Sequence, residues 1–296
     1  MPTLRAVIVL LLCAAAAGAD PLQPLIDRPV TLPRGKVDTT LHFTYTNWSN
    51  SVLGGGSGST DGETLALGLD FGATDLVQIG LGLVFPINPG AAFGSALASG
   101  SFAVDKNAAL RLDAGYESVG ANGNFDPENA NRYFAGIGAA IKVPITPTVA
   151  FVTGRTGPVQ FGHFNNLGSN GTGVYFGSSF LTELSSDFLV VSGGNLDTGT
   201  NLGINLPVGL LLQPDPHLAL TLQAGYSVVI EIPSVGSALA SHFVPIGLEA
   251  VVSPVSQLDI GARFLIDGYV GSSGGGGGGP GYFDLRALMF WFRVHV

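Results

Sequence analysis

Hydrophobic and polar residues alternate along most of the chain, with the period of two that is typical of a β-strand. The segment 64–71 shows the pattern: leucine or phenylalanine stands at each odd position, and a polar or small residue stands at each even one. This alternation predicts an all-β protein built from many strands. The segments that carry it most clearly are 37–45, 64–71, 77–85, 110–117, 133–143, 202–212, 218–230, 244–252 and 258–266.

These segments are long for strands. They run for about 8–13 residues, whereas the commonest strand of a globular protein has about 5–6. A strand that crosses a bilayer at a tilt needs about 9–11 residues. The lengths therefore favour a sheet that spans a membrane over a soluble sandwich, which is the alternative for the same alternation.

Short and long connections broadly alternate between the segments. In an antiparallel up-and-down sheet this places tight turns at one end and long loops at the other, which is the asymmetry of outer-membrane barrels. We expect an up-and-down antiparallel transmembrane β-barrel of about 12–14 strands, the count depending on whether 174–184 and 187–192 are strands. The predicted short joins are 73–75, 105–107, 144–147, 213–217 and 253–256; the long ones are 49–62, 87–92, 119–131, 156–172, 231–240 and 267–281.

The composition supports a barrel in lipid. Mean hydropathy is +0.41, yet no apolar stretch reaches the roughly 18 residues of a spanning helix. Only 11% of the 296 residues are charged and 44 are glycine, whereas the outer surface of a soluble domain carries about 25–35% charged residues. The balance of 12 basic and 21 acidic residues argues against a nucleic-acid partner.

The first residues have the pattern of a secretory signal. Arg5 precedes the apolar run Ala6–Ala17, and small residues follow, so cleavage is predicted before Asp20. We therefore divide the chain into a signal peptide (1–19), a proline-rich periplasmic N-terminal segment (20–36) and the barrel (37–296). The N-terminal segment is long enough to enter the lumen; the alternative is a periplasmic tail.

The C-terminal strand is apolar at every second position from Leu288 to Val296. Together with the signal and the alternating strands, it resembles the last strand of a Gram-negative outer-membrane β-barrel protein, although Val296 stands where such proteins usually end in Phe or Trp. The resemblance implies a location in the bacterial outer membrane, contact with the lipid bilayer, and insertion by the barrel-assembly machinery, which reads this strand.

The polar face of the strands predicts the lining of a lumen. Among its charged members, six are acidic and three are basic, which would bias a pore toward cations. Its many glycines leave little side-chain volume, and this favours a water-filled interior. The predicted pore-lining residues are Asp38, His42, Asp70, Arg111, Asp113, Glu117, Lys142, Glu249, Asp259 and Arg263.

These features favour a porin-like channel that passes small solutes through a water-filled lumen, passively or by transport. One alternative is a non-conducting structural or adhesive barrel that binds partners through loops 119–131 and 156–172. Another is a membrane-embedded hydrolase that uses His42 or His242. The sequence has no nucleophile elbow, metal-ligand spacing or phosphate loop, so we expect no enzymatic activity, cofactor or metal.

Overall fold

The structure is a computed structural model, and it describes residues 22–49, 59–88, 95–118, 131–153, 187–194, 200–232, 239–273 and 285–296. Within this part of the chain, no helix is long and apolar enough to cross a membrane. The strands are β1 (Val37–Ser49), β2 (Ser59–Gly72), β3 (Val77–Asn88), β4 (Ser95–Asp105), β5 (Ala108–Ser118), β6 (Asn131–Thr146), β7 (Val149–Thr153), β8 (Asp187–Gly194), β9 (Thr200–Asp215), β10 (Leu218–Ile232), β11 (Leu239–Val255), β12 (Leu258–Ser273) and β13 (Leu285–His295).

All of these strands belong to one antiparallel sheet that closes on itself. Consecutive strands are neighbours around most of the barrel, and β13 pairs with β1 to complete the circle. Two backbone hydrogen bonds join the ends of the barrel: Val37 N–H donates to Val296 O at 2.8 Å, and Val296 N–H donates to Val37 O at 2.9 Å. A closed sheet has no edge with unpaired backbone groups, as a lipid environment requires.

Two short strands share one position in the barrel. Both β7 and β8 pair with β6 on one side and with β9 on the other, β7 nearer the tight turns and β8 farther from them. The barrel therefore has 12 strand positions, within the predicted range. Segment 187–192 falls in β8, as predicted, whereas 174–184 lies outside the described residues.

The five predicted short joins all lie at one end of the barrel, which we call the turn end. The turns are at 73–76, 106–107, 147–148, 216–217 and 256–257. Short polar side chains stabilise several of them: Asp105 Oδ1 accepts a hydrogen bond from Asn107 N–H at 2.6 Å, and Asp215 Oδ1 accepts one from His217 N–H at 2.8 Å. We call the opposite end the loop end; most of the predicted long loops fall outside the described residues.

Exposure alternates along each strand in the sense expected for a barrel in lipid. On β13, Leu288, Phe290 and Phe292 are 37%, 45% and 48% exposed, whereas the intervening Met289 and Trp291 are buried. Large apolar side chains thus cover the outer wall and polar ones turn inward. Soluble monomers rarely expose so many large apolar side chains, and this surface matches the apolar band of a transmembrane barrel.

The outer wall gives a first prediction. Leu81 lies near the middle of β3 and is 61% exposed, while Val104 is 64% exposed but lies one residue from a turn. In urea titrations of protein folded into lipid vesicles, Leu81→Lys is expected to lower the free energy of unfolding by about 2–4 kcal/mol and Val104→Lys by about 0–1 kcal/mol. Equal losses at the two sites would contradict a bilayer centred on Leu81.

Candidate functional site: the barrel interior

The structure places nine of the ten predicted pore-lining side chains inside the barrel, where each is at most 6% exposed. The tenth, Glu117, lies on β5, and its side chain is outside the described part. Their role in lining a conducting pore stays a prediction. The sequence-based set missed further buried polar residues whose parity along the strands would have revealed them, notably Thr40, Ser253 and Arg293.

Arg111 and Asp113 form a buried ion pair on β5. They are two residues apart, so both side chains point inward from the same strand. Arg111 Nη2 donates to Asp113 Oδ1 at 2.6 Å, and Arg111 Nε donates to Asp113 Oδ2. The negative charge of Asp113 is therefore compensated locally, which weakens the predicted acidic bias of the lumen.

A second buried group joins β11, β12 and β13. Glu249 Oε1 accepts hydrogen bonds from Arg263 Nη2 at 3.0 Å and from Trp291 Nε1 at 3.1 Å. Glu249 and Arg263 are direct cross-strand partners, and Trp291 stands opposite Gly261. A Cβ atom on Gly261 would overlap the indole ring, so this glycine is what allows the tryptophan to lie flat against the inner wall.

Two of the inward glycines lie directly beneath neighbouring side chains. At Gly80, an added Cβ would collide with Asp70 and Ser99; at Gly247, it would lie 2.9 Å from Leu265 Cδ1. Neighbouring side chains lean over these glycines and fill the volume. At these two positions glycine permits close packing of the wall, and a water-filled lumen stays a prediction.

Asp259 is the centre of a third polar cluster, near the turn end. It is fully buried. Its Oδ2 accepts hydrogen bonds from Arg293 Nη2 at 2.6 Å and Nε at 3.1 Å, and its Oδ1 accepts one from Ser253 Oγ at 2.6 Å. His295 bridges two carboxylates, with Nε2 2.9 Å from Asp259 Oδ2 and Nδ1 2.7 Å from Asp38 Oδ1. This network fixes the orientation of Asp259 from both neighbouring strands, β11 and β13.

Residues 22–36 lie across the turn end and contact several sides of the barrel; we call them the N-terminal plug. The Ile26 N–H donates to Gln213 Oε1 on β9 at 3.3 Å, and the Leu32 N–H donates to Gln78 Oε1 on β3 at 2.8 Å. The Val30 N–H donates to Lys106 O in the turn between β4 and β5 at 3.0 Å. These contacts place the segment against the turn end of the barrel, and its entry into the lumen stays a prediction.

Apolar packing and two cations hold the plug. Leu25 and Ile26 are buried in a cluster with Ala150, Val152, Leu211, Ala219, Val251 and Trp291. Lys142 Nζ donates to Leu25 O at 3.2 Å and also to Arg28 O. Arg28 Nη1 donates to Asp259 Oδ2 at 2.7 Å, and its Nη2 donates to Ser253 Oγ at 3.3 Å.

A tight turn connects the plug to the first strand. The Lys36 N–H donates to Pro33 O at 3.1 Å, and Gly35 has φ +78°, the conformation that the third residue of a type II turn requires. The backbone also passes directly over Gly72, where an added Cβ would strike the carbonyl oxygen of Pro33. The plug thus folds back over the turn end immediately before β1.

Charge is nearly balanced inside the barrel. Among the described residues of the wall, five buried acidic side chains face four buried basic ones. Arg28 of the plug brings one more cation, and it does so at Asp259. The plug therefore complements the charge of the wall at the point where it binds. The acidic residues are Asp38, Asp70, Asp113, Glu249 and Asp259; the basic ones are Arg111, Lys142, Arg263 and Arg293.

The two histidines of the hydrolase hypothesis lie on opposite faces of the sheet. His42 is buried inside the barrel. His242 has its Nδ1 2.7 Å from the hydroxyl of Tyr226, whose ring is 42% exposed on the outer face. In the described part of the chain, no three His, Cys, Asp or Glu side chains are placed to hold a metal ion.

Comparison with solved structures identifies the fold. The chain is similar to the COG4313 outer membrane channel from Pseudomonas putida F1, with a TM-score of 0.51 and 10% identity over 94% of this chain and 100% of that one. It also matches the translocator domain of the autotransporter NalP from Neisseria meningitidis (TM-score 0.47, 13% identity, 89% of each chain) and the NanC porin (TM-score 0.44, 6% identity, 86% of this chain and 98% of that one). No protein-family model matches the chain, and no curated protein matches its sequence.

The chain thus has the fold of a bacterial outer-membrane β-barrel. The predicted closed antiparallel barrel and its resemblance to outer-membrane proteins are confirmed. The apolar outer wall agrees with the predicted location in the outer membrane.

The Arg111–Asp113 pair gives a second prediction. Asp113→Asn is expected to lower the free energy of unfolding by about 1–3 kcal/mol, because it removes the charge and one of the two acceptor oxygens that face Arg111. Replacing both, with Arg111→Met and Asp113→Leu, is expected to cost less than Asp113→Asn alone. Urea titration in lipid vesicles measures both, and a double variant that is less stable than Asp113→Asn would contradict this account.

The contact between Gly261 and Trp291 gives a third prediction. Gly261→Ala forces the indole away from the wall and is expected to cost about 1–3 kcal/mol of unfolding free energy. In a Trp291→Val background the same change should cost much less, because the colliding ring is gone. A double-mutant cycle tests this coupling, and identical costs in both backgrounds would show that the two residues do not interact.

Proposed function

We propose that the chain is an outer-membrane channel for small solutes and that the N-terminal plug closes its lumen at the turn end. The observation that carries this proposal is the course of residues 22–36, whose backbone and side chains bond to β3, β6, β9, β11 and β12. Short turns of outer-membrane barrels face the periplasm. The plug therefore closes the channel from the periplasmic side.

The barrel is complete without the plug. Residues 22–36 contribute no strand to the sheet, and β1 closes directly onto β13. Displacing the plug therefore breaks side-chain contacts and isolated backbone hydrogen bonds but no strand pairing. A segment that binds in this way can leave and return while the wall stays folded, which is what a gate requires.

The plug covers apolar residues of the wall and also a set of polar ones. Gln213, Gln78, Lys142 and Asp259 bind backbone or side-chain groups of the plug, and each is able to bond to water or solute instead. Once the plug leaves, the turn end becomes an opening into the barrel that these polar groups line in part. Passage is then passive and follows the concentration gradient, and the near balance of charge gives only a weak preference for cations.

The outer face of β13 is suited to recognition by the barrel-assembly machinery, the partner predicted to insert the protein. Its outward residues Leu288, Phe290 and Phe292 are regularly spaced and exposed on the outer wall. Under this proposal, the barrel-assembly machinery recognises this apolar face, and the bilayer covers it after insertion.

A deletion tests the channel and its closure. Removing residues 22–32 leaves the turn before β1 intact and is expected to raise the open probability in planar bilayers by about tenfold or more, because the apolar cluster and the ionic contacts of the plug are lost together. Gln23→Ala, at an exposed position, is the matched control and should behave as the unmodified protein.

Heat-modifiable migration on a denaturing gel establishes that the deletion variant is a folded barrel. A folded variant that stays silent in bilayers would overturn the channel. A deletion variant that conducts no better than the unmodified protein would overturn the plug as its closure.

A further inference from the structure

The side chain of Arg28 occupies a seat formed by three strands of the wall. Its Nη1 lies 2.7 Å from Asp259 Oδ2 on β12 and 3.3 Å from His295 Nε2 on β13, and its Nη2 lies 3.3 Å from Ser253 Oγ on β11. Two different nitrogens of one guanidinium are thus engaged by groups on separate strands. We call Asp259, Ser253 and His295 the guanidinium seat.

The barrel itself holds this seat in place. Asp259 and Ser253 are buried and bond to each other, with Ser253 Oγ 2.6 Å from Asp259 Oδ1. Arg293 and His295 contact the same carboxylate from β13. Because these contacts do not involve the plug, the carboxylate keeps its orientation when Arg28 withdraws. The seat is therefore preorganised for a planar cation.

The wall also binds the backbone of the same residue. Lys142 Nζ, on β6, donates to the carbonyl oxygens of Leu25 and Arg28. One arginine is thus recognised at both ends, its carbonyl group by an ammonium and its guanidinium by a carboxylate and a hydroxyl. A free arginine or an arginine-containing peptide carries the same two groups, with a carboxylate or carbonyl oxygen available to Lys142.

We propose that the guanidinium seat is a solute-binding site for arginine and arginine-containing peptides, and that Arg28 occupies it as a built-in competitor. This inference rests on the proposed function, in which residues 22–36 leave the turn end. A guanidinium matches the seat better than an ammonium does, because its fork of N–H groups reaches Asp259 and Ser253 together, whereas an ammonium is a single point of charge.

Chemical rescue tests the seat directly. Arg28→Ala keeps the plug but empties the seat, and we expect the open probability in planar bilayers to rise by about tenfold, the effect of losing a charged hydrogen-bond pair. Methylguanidinium at millimolar concentration on the turn-end side should restore closure. Methylammonium at the same ionic strength should not. Arg34→Ala, at an exposed arginine of the same plug, is the matched control and should show neither effect.

Variants of the guanidinium seat supply the second arm of the rescue experiment. Adding Ser253→Ala or Asp259→Asn to Arg28→Ala should abolish the rescue, and Ser253→Ala serves if the Asp259 variant does not fold. In the variant that lacks residues 22–32, arginine amide should reduce the conductance from the turn-end side more strongly than lysine amide does.

The outcomes separate the two proposals. A deletion variant that conducts but responds equally to arginine and lysine amides, together with no rescue of Arg28→Ala, would overturn the guanidinium seat and leave the channel standing. A folded deletion variant that does not conduct would overturn the proposed function itself. Rescue that survives Ser253→Ala and Asp259→Asn would show that guanidinium acts elsewhere on the protein.

Discussion

The structure depends on one constraint: hydrocarbon offers the backbone no hydrogen-bond partner. Every strand that crosses it must be paired on both sides, and only a closed sheet achieves this. The pairing of β1 with β13 meets this requirement at the first and last strands of the barrel. The position shared by β7 and β8 meets it too, because β6 and β9 are long enough to pair with both short strands.

A barrel closed in lipid places its large apolar residues on the outside, whereas a soluble protein places them in its core. Many interior positions are therefore polar or charged, and a buried polar group is stabilised by a partner there. Cross-strand pairs such as Glu249 with Arg263 serve this need, and glycines opposite large residues, such as Gly261 opposite Trp291, provide the room. The same polar interior that stabilises the barrel also supplies the groups that bind the plug.

The period-two alternation was enough to predict the barrel, its five tight turns and the inward direction of most polar residues, since each of these is set by neighbours along the chain. It could not reveal which inward groups meet. Arg28 and Asp259 are 231 residues apart, and no periodic signal links them. The side chains that lie over glycines such as Gly80 also come from adjacent strands, so the alternation could not predict this packing.

The turn at Gly35 joins the plug to β1 by only a few residues. A ligand tethered this closely meets its site at an effective local concentration in about the millimolar range. A molecule in free solution that competes for the same contacts displaces it only when its own abundance approaches that level. The tether therefore sets a threshold concentration of solute. Below that concentration, the solute does not displace the plug.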